Sequence, residues 1–179
     1  FEEIYHIAVL CDEEAPKSAL PYASNNIHFV PIKKVGGTTF SSKMNILRQI
    51  PDVIKKVDST LKLVDYFQLR TPTGMGVYLI PYLTLFVKKK GWYKYAGNWK
   101  QENAPIGFAF QRWLLIQQSR KVTMNGQWKG QSSHCISFEN PCLTTNYRKE
   151  GAVIIKGKSI NGKLNFCFVG TFYKRKGIE

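Results

Sequence analysis

Two segments set narrow limits on what this chain can fold into. The first, residues 61 to 87, reads "LKLVDYFQLR", then "TPTG", then "MGVYLIPYLTLFV". The second, residues 92 to 119, reads "WYKYAG", then "NWKQENAP", then "IGFAFQRWLLIQQS". Each is a strand-like run, a polar turn and an apolar helical run, in that order. A helix of this length between successive strands is the connection that parallel pairing requires, and such crossovers are right-handed.

The rest of the chain continues the pattern. "EIYHIAVLC" (Glu3–Cys11) and "NIHFVPI" read as strands, and "VGGTTFSSK" reads as a Gly and Ser/Thr loop. Ser41 or Ser42 is placed to cap a helix toward Val57, with Met44, Leu47, Ile50 and Ile54 on one face and Pro51 bending or dividing it. Pro105 suits the first position of the helix that carries Phe108, Trp113 and Leu114 and ends near Ser119. "KVTMNG" and "HCISF" are short strands, and "EGAVIIKGKSINGKLNFCFVG" holds two strand-like runs around the turn pair Asn161-Gly162. Strands are expected near 3–10, 63–69, 92–96 and 164–169. The alternation predicts an α/β fold with a mainly parallel, Rossmann-like sheet and flanking helices.

In such a sheet, ligands bind just past the carboxyl ends of the strands. Two turns place polar residues there: Arg70-Thr71-Pro72-Thr73-Gly74 and Gly97-Asn98-Trp99. Arg70 offers a bidentate fork for phosphate or carboxylate. Asn98 offers a donor and an acceptor, and Trp99 a flat apolar face for a sugar ring. The plainer reading is that Gly97 turns the chain, Asn98 caps a helix and Trp99 packs on the core. The strand ending at Gly170, followed by the cationic loop to Lys176 and Gly177, has the form of a phosphate-binding entry to a further βα unit, or of a plain basic tail.

Charge narrows the partners. The net charge is +14, with residues 86–130 carrying nine Lys or Arg against Glu102 alone. This asymmetry points to an anionic partner, or to a solvated basic surface. Paired-carboxylate hydrolysis is disfavoured by scarcity, since after Asp65 the acids are Glu102, Glu139, Glu150 and Glu179. Walker, GxGxxG, HExxH and GxSxG motifs are absent, and His6, His28 and His134 form no triad pattern. Cys11, Cys135, Cys142 and Cys167 make no CxxC pair and fit reduced cytosolic thiols; His134-Cys135 with Cys142 is a weak metal pattern, and no metal site is assigned.

The stretches "DYFQLRTPTGMGVYLIP", "KYAGNW", "VTMNGQW", "NPCLT" and "NFCFVGTFYKRKG", in that order, resemble family-4-type glycosyltransferases of the GT-B architecture. The nearest resemblance is to the bacterial group that builds surface polysaccharides. It implies a hexosyltransferase with two Rossmann-like domains facing across a cleft, retaining anomeric configuration without metal or other cofactor. The N-terminal domain would take a glycan or lipid-linked acceptor and the C-terminal domain a nucleotide-sugar donor. Residues 1–160 would be the acceptor-side domain lacking its first βα unit, because Phe1-Glu2-Glu3-Ile4 resembles the entry to the second strand. Residues 161–179 would begin the donor domain.

The resemblance assigns the acceptor side to Arg70, Gly74, Gly97, Asn98 and Trp99, and the donor phosphates to Gly170, Lys176 and Gly177. Thr171 stands where an Arg is usual, and Asn98 where many relatives carry a His, so no catalytic residue is carried over. The implied location is cytoplasmic, peripheral at the inner face of an anionic membrane. Edges left uncovered by a missing unit favour homo-oligomers, and this chain by itself is expected not to transfer sugar. Two alternatives remain: a basic nucleic-acid-binding module using Lys88–Lys90, Arg120-Lys121 and Lys174–Lys176, and a non-catalytic sugar-binding domain. The first lacks any RRM, OB or helix-turn-helix pattern, and nucleic acid is not the partner assigned.

Overall fold

A computed structural model describes residues 2–10, 22–33, 40–138 and 144–158. The chain divides into two compact units, Phe1–Asn140 and Pro141–Glu179. The domain boundary expected at residue 160, the strand expected near 164–169 and the phosphate loop of Gly170, Lys176 and Gly177 lie outside the described residues.

The first unit runs β1 (Ile4–Leu10), β2 (Ile27–Lys33), α1 (Phe40–Leu61), β3 (Tyr66–Thr71), α2 (Gly76–Leu85), β4 (Lys90–Tyr95), α3 (Ile106–Ile116), β5 (Val122–Met124) and β6 (Cys135–Ser137). All described strand pairs are parallel: β1 with β2 in one sheet, and β3-β4-β5-β6 in another. This is an α/β domain with parallel sheets and flanking helices in a Rossmann-like topology. Among the described residues β1 pairs with β2 alone and β3 with β4 alone, so each keeps one unpaired edge.

Register divides the four-stranded sheet into two faces. Tyr93 of β4 lies beside Val122 of β5, which lies beside Cys135 of β6; Tyr95 lies beside Met124. These side chains are buried together with Val53, Val57 and Leu61 of α1, Leu79, Ile80 and Leu83 of α2, and Leu115 of α3. Tyr93 spends its hydroxyl inside this core, on the Thr84 hydroxyl at 2.7 Å. Burial alone raises the Tyr93 and Tyr95 phenols above the ordinary tyrosine value, offset in part for Tyr93 by that hydrogen bond and by Arg120, and for Tyr95 by Arg112. The opposite face alternates with it and carries Gln68, Arg70, Trp92, Lys94, Thr123 and Ile136.

The first helix departs from expectation. It runs unbroken through Pro51 to Leu61, with Ser41 and Ser42 inside its first turns, so β3 starts only at Tyr66. Its buried stripe is Val53, Val57 and Leu61, at i, i+4 and i+8, whereas Leu47 is exposed and Ile50 and Ile54 are half-buried. Ile50 and Ile54 belong to the same broad apolar stripe as Val53, Val57 and Leu61, with Leu47 at its exposed margin. Tyr82 of α2 donates to Asp58 of α1 at 2.5 Å, and Lys56 donates to the Pro31 carbonyl of β2 at 2.8 Å.

The second unit contains α4 (Thr145–Gly157), which takes up the start of "EGAVIIKGKSINGKLNFCFVG", where the sequence pattern points to the first of two strand-like runs. The Thr144 hydroxyl accepts from the Tyr147 amide and caps the helix. The β-branched run Val153-Ile154-Ile155 is too short to overrule that start signal. No described residue of α4 is buried.

Candidate functional site

Because β3, β4, β5 and β6 are parallel, their carboxyl ends share one rim. Both turns singled out from sequence lie on it, and they touch. The Ala96 amide donates to the Thr71 carbonyl at 2.7 Å. A Cβ on Gly97 would stand 3.1 Å from Pro72 Cδ and from the Tyr95 ring, so a larger residue there would press the two turns apart by a few tenths of an ångström. Thr71-Pro72 is a cis peptide.

The turn after β3 is held from a distance. Gln111 of α3 is 1% exposed. Its Oε1 accepts from the Thr73 amide at 3.1 Å, and its Nε2 donates to the Thr73 and Gly107 carbonyls at 2.9 and 3.0 Å. A buried amide with both ends paired fixes the backbone it clamps. The Thr73 hydroxyl accepts from the Gly76 amide at 3.1 Å and so caps the start of α2. A Cβ on Gly76 would stand 2.0 Å from Gln111 Oε1, so the clamp needs glycine at that position. Gly74 is exposed, with open space around it.

The corner after β4 is closed by its own residues. The Asn98 side-chain oxygen accepts from the Lys100 amide at 3.0 Å, which forms an Asx-type turn. Trp99 meets Tyr95 edge-on, with centroids 5.0 Å apart, and packs against the core. The Trp99 carbonyl accepts from Arg112 of α3 at 2.5 Å, and the same guanidinium donates twice to the Gln101 carbonyl at 3.1 Å. Asn98 is exposed and turns its oxygen to the backbone.

The structure therefore brings together Gly97, Asn98, Trp99 and the Pro72 turn. Arg70 stands apart from the Trp ring: it lies on the sheet face opposite Tyr95, beside Lys94 in register. Lys94 sits 4.5 Å over the Phe138 ring, so this side of the rim presents Arg70, Lys94 and an aromatic ring. That neighbourhood suits a planar anion flanked by an apolar group.

Sequence reasoning missed three contributors. Gln111 gives no signal, because a Gln inside an apolar helix looks like a surface residue. Asn125 follows β5 on the same rim, and its Oδ1 is buried without a hydrogen-bond partner among the described residues, as is Trp128 Nε1 in the loop beyond. Gly126, at φ +88°, makes the turn between them, and a Cβ there would meet the Trp128 ring at 3.3 Å. An orphaned acceptor and an orphaned donor near a strand end are suited to a hydroxyl-bearing ligand.

Some of the basic surface is structural. Arg120 donates to the Lys89 carbonyl at 2.7 Å and to that of Val87, and stacks 5.3 Å over Phe67. Lys89 donates to the Val64 carbonyl. His134 pairs with the Leu115 carbonyl at 2.9 Å, and Cys135 is buried, which raises its thiol above the usual value. Among the described residues no three His, Cys, Asp or Glu side chains form a metal-holding group, and no helix is long and apolar enough to cross a membrane. Comparison with family models, with curated proteins and with solved structures finds no match for this chain.

Proposed function

We propose that this chain is the acceptor-side half of a GT-B glycosyltransferase, a hexosyltransferase that moves a sugar from a nucleotide-sugar donor to a glycan or lipid-linked acceptor. The observation that carries the reading is the shared rim, where Gly97 packs on Pro72 with Arg70 and Lys94 at one side and, at the other, Asn125, whose Oδ1 has no hydrogen-bond partner among the described residues. An open parallel sheet presents ligand at that edge. The order of "QLRTPTG", "KYAGNW" and "VTMNGQW" along the chain adds to it. On this reading Arg70 holds an acceptor diphosphate or uronate, and Asn125 and Asn98 hold hydroxyls. Chemistry awaits a donor domain, because transfer requires both reactants held together.

The test is calorimetric titration of this chain with oligosaccharides and with short-chain prenyl-diphosphate sugars. Saccharide binding is expected, weakened by Arg70→Lys, which keeps charge but loses the fork. Asn125→Ala should weaken it by about 5- to 10-fold. Both variants should melt as the parent does. Absence of binding by every saccharide, or binding untouched by either variant, would overturn the proposal.

A further inference from the structure

The four-stranded sheet has a second face. The strand order β3-β4-β5-β6 advances in one direction, so right-handed crossovers put α2 and α3 on the same side. That side carries Tyr93, Tyr95, Val122 and Met124, which are buried with Leu79, Ile80, Leu83 and Leu115. Successive strand residues point to opposite faces. Register therefore sets Tyr66 beside Lys90, Gln68 beside Trp92 and Arg70 beside Lys94 on the other face. Tyr66, Gln68, Arg70 and Lys90 are exposed, and Trp92 and Lys94 are half-buried. Parallel strands covered on both faces read as near-continuous apolar runs. The strands "YFQLRT" and "KGWYKY" instead alternate polar and apolar residues, the pattern of a half-buried strand with one face in water. Such a face suits a hydrated ligand in place of a packed helix.

Charge and shape give the chemistry of that ligand. The four strands contain no Asp or Glu. Arg70 and Lys94 are nonetheless neighbours in register, where like charges repel. Lys90 extends the row, about 13 Å from Lys94 at the usual rise of a strand. Cations in line along a strand match a chain that repeats its negative charge. Between them, Trp92 Nε1 donates to Gln68 Oε1 at 3.1 Å, and the Gln68 NH2 has no partner among the described residues. An aromatic ring bordered by an amide fits a sugar, which has an apolar face and a rim of hydroxyls. The row also ends at the rim where the proposed acceptor site lies. We infer that the outer face of β3 and β4 binds an acidic glycan, with its carboxylates on Arg70, Lys94 and Lys90 and a sugar ring on Trp92. The inference rests on the acceptor reading and gives that acceptor its class, a chain of uronate sugars.

The experiment is calorimetric titration of the 179-residue chain with a galacturonate disaccharide, a longer galacturonate oligomer and a neutral glucose oligomer of the same length. The long uronate chain is expected to bind more tightly than either of the others, and its binding to fall with salt. Lys90→Gln should weaken the long chain by about threefold. Trp92→Ala should weaken it by about fivefold. Lys90 is exposed, so its variant should melt with the parent and keeps the test valid if Trp92→Ala melts early. Equal affinity for the neutral and uronate oligomers overturns the inference and leaves the acceptor proposal standing, as does long-chain binding untouched by Lys90→Gln. Absence of binding by every saccharide overturns both. Tighter, Lys90-dependent binding of a single-stranded oligonucleotide would assign the face to nucleic acid instead.

Discussion

The two parallel sheets are made of similar strands and end in different states. Tyr93 and Tyr95 of β4 and Val122 and Met124 of β5 are buried, packed by Leu115 and by α2. In β1, Ile4 is 38% and Val9 39% exposed, and in β2 the buried residue is Ile32. "IYHIAVL" is as apolar and β-branched as "VTM" or "KGWYKY", so extended conformation is available to all of them. Burial is a property of the layer above, and the four-stranded sheet has α2 and α3 across it. Among the described residues β1 and β2 reach the core through Ile32 and half-buried Ile7, a lighter cover than parallel sheets ordinarily have.

Core truncation should separate the sheets most sharply. Leu115→Ala, beneath the four-stranded sheet, should lose about 2–5 kcal/mol, against about 1 kcal/mol or less for Val9→Ala. Urea melts of both variants measure this, and equal losses would erase the distinction. Next is the contrast between the two rim turns. Gln111→Leu strands the Thr73 amide and carbonyl and should cost about 2–3 kcal/mol. Gln101→Leu, at the exposed β4–α3 corner, should change stability by less than about 0.5 kcal/mol. Hydrogen exchange gives a finer reading: amides of β1 and β2 should exchange ahead of those of β4 and β5. Equal protection would mean that the two sheets open as one.

The smallest effect concerns α1 and α2. The hydrogen bond to Asp58, then burial, pushes the Tyr82 phenol up to about 12 from its usual 10.0. A raised folded-state value means the native state holds the proton more tightly. Its contribution is complete below the unfolded value and is lost as pH rises from about 10 to about 12. Tyr82→Phe should therefore be less stable than the parent at neutral pH, and the gap should close across that window. A gap independent of alkaline pH would remove the Asp58 pairing from the account.

The α/β alternation was legible because each βα unit carries its own period and turn signals. The short turn after Arg70 and Pro105 at the head of α3 were sufficient to place β3, β4 and the rim. Pro105 caps α3 as its N-terminal flank, one position ahead of where the sequence put it. What the sequence hid depended on distant partners. How far the broad apolar stripe on α1 is buried, fully at Val53, Val57 and Leu61 and only in part at Ile50 and Ile54, depends on what packs over it. On α3, Leu115, Gln111 and Arg112 turn inward while Ile106, Phe110 and Trp113 stay exposed, an arrangement the apolar run does not announce. For α4, the cap at Thr144 outweighed a β-branched run, a competition that propensity alone decides badly.

The Gln111 clamp also sets where this domain tolerates changes of length. It spans from α3 to Thr73, so the residues between Thr71 and Gly76 have one workable count: an insertion would lift the amide and carbonyl that Gln111 holds. Beyond the Gln101 carbonyl that Arg112 holds, Glu102 and Asn103 are exposed, and lengthening the loop there costs chiefly loop entropy, on the order of 0.6 kcal/mol per doubling. Variation in length among chains built this way should therefore accumulate as loop extensions after β4, while the turn after β3 keeps its length and changes only in side chain.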